Sequence, residues 1–211
     1  MKYPWFIKLA LAVLKRNLEP IEGLENLPPK GNYILTPNHQ SYLDPIFLWA
    51  GIVPYIKRII YSLAKQELSW KFGKFGTNYL GMIYIDLKDK AKCLDTALEY
   101  LKRGEIVCIF PEGTRNYDRK NLLKGKTGAA RLALMAKVPV IPLGIVSPPG
   151  KGVFEALKNA LFPKNKARII IGRPLNLEKY YPSEITKETL ENITREIMLS
   201  IGQLCQKNYP F

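Results

Sequence analysis

The chain has 211 residues, 47% of them hydrophobic, enough for one large domain with a sizeable core, and no Gly/Ser-rich or Pro-rich linker divides it. Its 32 Lys and Arg against 18 Asp and Glu leave a net charge of +14, which says little about fold but calls for an anionic partner: nucleic acid, a phospholipid surface or a phosphorylated substrate. The three cysteines form no CxxC pair, and with a single histidine they argue for a reduced compartment and against a zinc site.

The first element in chain order is KYPWFIKLALAVLKR. Its apolar run is interrupted by Lys8 and ends at Lys15 and Arg16, short of the roughly 20 apolar residues that span a bilayer. On a helix Lys8 and Lys15 fall on one stripe, and Trp5, Phe6, Leu9, Leu11, Val13 and Leu14 cover much of the remainder. Two roles stay open: the helix lies in the headgroup region of a membrane, or it packs on the domain's own core. Ala-Leu-Ala at 10–12 sits inside the apolar run and not after it, which disfavours a signal peptide. We expect residues 1–20 to be an amphipathic, membrane-associating segment and residues 21–211 to be a single domain.

Beyond residue 20, strand-like and helical runs alternate. NYILTP, RIIYSLA, MIYID, EIVCIF, VPVIPLGIV and ARIIIGRP are short, β-branched or aromatic, and bounded by Pro, Gly or Asn. Between them PIFLWAGI, residues 89–103, TGAARLALMAK and a long run from Ser183 read as helices. In the last, Leu190, Ile193, Ile197, Ile201 and Leu204 make one apolar stripe. This alternation predicts an α/β fold, a mixed but mostly parallel sheet flanked by helices.

Candidate chemistry clusters at two strand ends. After NYILT comes TPNHQSYLDP, which holds the chain's one histidine, His39, with Asp44 immediately before Pro45. Pro45 suits the first turn of the following helix, so Asp44 stands where an N-cap belongs. A loop also lets the two side chains meet, and a carboxylate on one imidazole nitrogen would leave the other free as a base. Proton transfer and an ordinary helix cap are both compatible with this spacing. The second site follows EIVCIF: Pro111 stops the strand, and the turn carries Glu112 and Arg115, a planar fork for phosphate with a carboxylate beside it to hold the fork. From Arg115 to Lys137 there are seven basic residues and one acid, Asp118. Lys126, Thr127 and Gly128 open a helix whose amides could receive an anion. The GKT here is no P-loop, because Lys120 stands where its first glycine belongs.

EGLENLPPKGNYILTPNHQSYLD, AKQEL, GMIYID, FPEGTR and KVPVIPLGI, in that order and spacing, resemble the 1-acyl-glycerol-3-phosphate acyltransferases and their glycerolipid acyltransferase relatives over about residues 21–146. The resemblance implies that residues 21–211 are an acyltransferase domain. It would move a fatty acyl group from a thioester on coenzyme A or acyl carrier protein to the free sn-2 hydroxyl of a lysophosphatidate at an anionic membrane surface, on the cytoplasmic face of the cell membrane. It also implies His39 as the base and Asp44 as its partner. Glu112, Gly113, Thr114 and Arg115 match the motif held to bind the acceptor's phosphate, and Lys65 matches a lysine near that site; we add Lys126 from the adjoining basic run. No cofactor and no metal are implied beyond the acyl-CoA or acyl-ACP donor. The pattern departs in one place: Leu87 and Lys88 follow Ile85-Asp86 where the family usually has arginine, which bears on the identity of the acceptor.

With no G-x-S-x-G elbow and no cysteine near His39, direct transfer is expected rather than a covalent acyl-enzyme. Backbone amides around Asn38 to Ser41 are the candidate oxyanion donors, and Ser41 is a loop or capping hydroxyl. Two rivals remain: a related acyltransferase using glycerol 3-phosphate or another lysolipid, and a non-catalytic basic module for membrane or nucleic acid. No nucleic-acid-binding motif organises the basic residues, so nucleic acid is not an expected partner.

Overall fold

In the computed structural model, residues 5–86, 88–147, 155, 158, 165–182 and 184–211 are described. Six strands form one sheet: β1 (Tyr33–Pro37), β2 (Ile60–Lys65), β3 (Met82–Ile85), β4 (Ile106–Cys108), β5 (Val140–Val146) and β6 (Arg168–Ile171). Their order is β3-β2-β4-β1-β5-β6. Every pairing is parallel except β5 with β6, as the alternation of strand and helix requires. The central strand β1 is buried along its whole length, the continuous apolar character of a strand covered on both faces.

Alternate side chains of β1 serve opposite cores. Tyr33 and Leu35 enter a cluster with α1 (Trp5–Lys15) and α2 (Asp44–Ile56), against which Tyr79 and Leu80 of α3 (Ser69–Leu80) also pack. Ile34 enters the other, with α4 (Lys90–Lys102), α5 (Gly128–Ala136) and the long C-terminal helix α6 (Lys187–Cys205). Each fully buried Leu, Ile or Phe in these cores contributes roughly 1.5–3 kcal/mol.

The helix α1 settles part of the choice its sequence left open. Ile7 and Leu11 are buried in the first core, whereas Trp5, Leu9 and Val13 are 76%, 58% and 41% exposed. The spacing of four puts those three on one outward stripe. Beyond the helix the chain is tied down: the Ala167 amide donates to the Asn17 carbonyl and the Glu19 amide to the Ala167 carbonyl. Among the described residues no helix is long and apolar enough to cross a membrane.

Three elements differ from expectation. The helix α3 was not predicted, because SWKFGKFGTNYL has no continuous apolar stripe and carries Gly73, whose φ of 44° and ψ of −139° break it with a kink. The helix α6 begins at Lys187, where Thr186 caps it by accepting from the Thr189 amide; Ser183 lies outside the described residues. Its buried stripe ends on Cys205, with Leu204 only half-buried.

Candidate active site

The parallel strands all end at the same sheet edge, so the loops after β1 and β4 meet there, where α/β folds hold their ligands. Asn38 anchors the first loop: its buried side-chain amide donates to the Ile145 carbonyl at 2.9 Å and accepts from the Ile145 amide at 2.6 Å. The Gln40 side chain donates to the same carbonyl at 3.0 Å. The loop is thereby fixed to the end of β5 before it reaches α2.

His39 and Asp44 do meet. The carboxylate Oδ2 of Asp44 lies 2.9 Å from Nδ1 of His39, with Asp44 fully buried and the His39 side chain 16% exposed. A carboxylate partner at Nδ1 calls for the proton there and leaves Nε2 as the acceptor nitrogen. Phe110 packs on the imidazole, ring centroids 4.3 Å apart. The same Oδ2 accepts from the amides of Gln40 at 2.5 Å and Ser41 at 2.7 Å. Asp44 is thus the first residue of α2, and its carboxylate ties the loop behind it; the predicted N-cap is Leu43 instead, whose amide donates to the Ser41 hydroxyl at 3.2 Å.

The loop after β4 closes over the first. Glu112, 2% exposed, accepts from the His39 amide at 3.0 Å through one oxygen and from the Leu123 amide at 2.9 Å through the other. The Asn116 amide donates to the His39 carbonyl at 2.7 Å. Two expectations are corrected by these contacts. Among the described residues Glu112 does not hold the guanidinium of Arg115: its two oxygens meet backbone amides, and Arg115 meets Tyr42 and Tyr117 instead. The amides of His39, Gln40 and Ser41 are committed to Glu112 and Asp44 and are not free as oxyanion donors.

Arg115 is held by aromatics. Its guanidinium carbon lies 3.5 Å from the centroid of the Tyr42 ring, and its Nε donates to the Tyr117 hydroxyl at 3.3 Å. Gly113 has φ 66°, which favours glycine in this turn, and the Lys126 side chain lies across it, its ammonium nitrogen 2.5 Å from where a Cβ would stand. Lys126 therefore joins the exposed Gly113 and Thr114 and the half-buried Arg115 on the rim, while its own amide donates to the Pro111 carbonyl at 2.8 Å. Lys65 ends β2 at the same sheet edge and is exposed, but among the described residues it makes no hydrogen bond or ion pair to this cluster. Leu87 lies outside the described residues; the Lys88 beside it is exposed. Tyr42 is the contact that sequence reasoning missed, because nothing in the spacing of TPNHQSYLD distinguishes a ring aimed at Arg115 from one aimed at solvent.

A buried carboxylate–imidazole pair and a rim of cations thus stand together at the carboxyl edge of the α/β sheet. Residues 20–146 match the family model described as Acyltransferase, and the chain belongs to that family. Over 189 residues it is 34% identical to the 1-acyl-sn-glycerol-3-phosphate acyltransferase of Bacillus subtilis (strain 168), a match covering 87% of this chain and 86% of that one. It is 28% identical to the 1-acyl-sn-glycerol-3-phosphate acyltransferase alpha of Ovis aries, matching 86% of this chain but spanning only 61% of the sheep protein. The crystal structure of the 1-acyl-sn-glycerophosphate (LPA) acyltransferase of Thermotoga maritima superimposes with a TM-score of 0.64 at 28% identity, covering 94% of this chain and 79% of that one.

Proposed function

We propose that this enzyme transfers a fatty acyl group from an acyl thioester, on coenzyme A or acyl carrier protein, to the free sn-2 hydroxyl of 1-acyl-glycerol 3-phosphate, forming phosphatidic acid. The observation that carries the mechanism is the contact of Asp44 Oδ2 with His39 Nδ1 at 2.9 Å. Nε2 of His39 takes the hydroxyl proton as the oxygen attacks the thioester carbonyl, and the Asp44 carboxylate stabilises the imidazolium that forms. The tetrahedral adduct then expels the thiolate, which recovers the proton from His39, leaving an ester and a free thiol. All three cysteines are buried, which favours this direct route over an acyl-enzyme.

The acceptor's phosphate is assigned to the rim of Gly113, Thr114, Arg115 and Lys126, with Arg115 supplying a bidentate fork. Glu112 shapes that rim from behind. The substrate and product are lipids, so the enzyme works as a peripheral or monotopic protein on the cytoplasmic face of the cell membrane. The outward stripe of Trp5, Leu9 and Val13 and the exposed Lys8 and Lys15 face the anionic headgroups.

The reading is tested by turnover assays offering 1-acyl-glycerol 3-phosphate, glycerol 3-phosphate and other lysolipids with both thioester donors. Preference for 1-acyl-glycerol 3-phosphate supports it; preference for another acceptor, the outcome that Leu87 in place of arginine makes the main rival, replaces it.

A further inference from the structure

Lys207 is 9% exposed, yet the acyl-transfer chemistry leaves it unused. It follows Gln206, whose φ of 56° ends α6 in the left-handed conformation and turns the chain back on itself. The Lys207 amide donates to the Gly202 carbonyl at 2.9 Å, and its ammonium donates to the Asp118 carbonyl. The next two residues continue along the same loop. The Leu122 amide donates to the Asn208 carbonyl and the Asn208 amide to the Lys120 carbonyl, both at 2.8 Å. The Gly125 amide donates to the Tyr209 hydroxyl at 3.3 Å.

These contacts fall at 118, 120, 122 and 125, along most of the connection from Arg115 to α5. That connection carries Arg115, Arg119, Lys120, Lys124 and Lys126, whose mutual repulsion favours an open loop. Its one acid, Asp118, carries a single charge against these five, and its carboxylate is turned onto the Lys120 and Asn121 amides and the Asn121 side chain. The clamp therefore has to come from elsewhere in the chain. It comes from beyond the residues matched by the family model, which end at 146.

The identity of the anchor carries a second consequence. An aliphatic side chain would be buried at lower cost than an ammonium, and desolvation does hold the Lys207 pKa below its usual value. The charges of Glu112, Asp118 and Asp44 oppose that shift, as does Cys205. Glu112 and Asp44 are the two buried carboxylates that grip His39, one at its amide and one at its ring. The contact that carries the anchoring is the ammonium's bond to the Asp118 carbonyl.

We propose that Lys207–Tyr209 is a positioning segment for the acceptor-phosphate loop, with the Lys207 ammonium fixing the Asp118 carbonyl. It keeps Arg115 in constant register with His39 and touches neither substrate. The inference rests on the assignment of the acceptor's phosphate to Arg115.

The test compares Lys207→Met, Lys207→Arg and Arg115→Lys in the full chain. It measures KM for 1-acyl-glycerol 3-phosphate, KM for the acyl thioester, kcat and the thermal midpoint. Lys207→Met is expected to raise the acceptor KM about tenfold, the scale of a lost charged hydrogen bond, with the donor KM within about twofold of wild type, and Lys207→Arg to recover most of the loss. Unchanged or equally raised KM values in Lys207→Met overturn the proposal, as does a Lys207→Arg variant no better than Lys207→Met. If Lys207→Met does not fold, Tyr209→Phe is read instead: an acceptor-selective rise supports the proposal and none overturns it. Arg115→Lys separates the two levels. If it fails to discriminate acceptor from donor, the phosphate assignment itself is wrong; if it discriminates and Lys207→Met does not, only the positioning role falls.

Discussion

Arg115 lies face-on to Tyr42, its guanidinium carbon 3.5 Å from the ring centroid, and Tyr42 belongs to the loop that runs from His39 to Asp44. The candidate phosphate ligand thus rests directly on the loop that carries the candidate base. This ties together the two candidate sites that the proposed acceptor would span.

Removing the stack should loosen one substrate and not the other. A partly exposed cation–π contact is worth about 0.5–2 kcal/mol, so Tyr42→Leu is expected to raise the acceptor KM about twofold to thirtyfold while the thioester KM holds. Tyr42→Phe keeps the ring and should behave like wild type. Equal behaviour of the two variants would show that the stack has no part in acceptor binding.

Asp44 has two separable duties. Its Oδ2 accepts from His39 Nδ1 and from the Gln40 and Ser41 amides. Asp44→Asn retains an acceptor oxygen but loses the charge, so turnover should fall about 10²- to 10⁴-fold with little change in thermal midpoint. Asp44→Ala strands the buried amides, at a cost of about 1–3 kcal/mol for each group left unpaired. Calorimetry should show it clearly less stable than Asp44→Asn. Equal stability of the two would mean the carboxylate does not organise the loop.

The six strands were legible because each is a short apolar run bounded by Pro, Gly or Asn, and the parallel order followed from the helices between them. The His39–Asp44 contact was legible through the family resemblance, because the loop spacing alone fitted an ordinary helix cap equally. What else the carboxylates of Glu112 and Asp44 accept was not. Their partners are backbone amides, at 123 in one case and at 40 and 41 in the other, and every residue type but proline offers the same amide. The clamp at 207–209 was hidden for the same reason: on the loop side all four of its contacts fall on main-chain groups, some 85 residues away in sequence. The helix α3 failed for a local reason, the kink at Gly73.

At the membrane the exposed stripe is the informative target. Deleting residues 1–18 would also remove Leu18, which is buried, and the pairing of Asn17 with Ala167, so loss of binding would be confounded with loss of fold. Replacing Trp5, Leu9 and Val13 together by Ser leaves the buried Ile7 and Leu11 in place. Flotation with anionic phosphatidylglycerol vesicles should then show the salt-resistant part of binding lost and the salt-sensitive part kept, because basic residues contribute about 1 kcal/mol each and are screened by salt. Unchanged binding at high salt would place the contact elsewhere.

The cysteines should be silent. Burial pushes the thiol of Cys108 up to about 12 and that of Cys205 up to about 11, and raises that of Cys93. The thiolate is the reactive form, so a raised pKa keeps each thiol protonated at pH 8 and reaction waits for much higher pH or for unfolding. N-ethylmaleimide at pH 8 should leave native turnover intact and label all three only in denaturant, as read by mass spectrometry. Rapid labelling of the native protein with loss of activity would point to a thiol in the reaction.

The most direct measurement is the turnover of His39→Ala with an acyl thioester and 1-acyl-glycerol 3-phosphate, beside its thermal midpoint and vesicle binding. Loss of a general base costs about 10²- to 10⁴-fold, and the His39 side chain makes no hydrogen bond among the described residues except to Asp44. The expected result is therefore a fall of that size with fold and membrane binding preserved. Wild-type-like turnover in a folded His39→Ala protein would contradict the account at its centre.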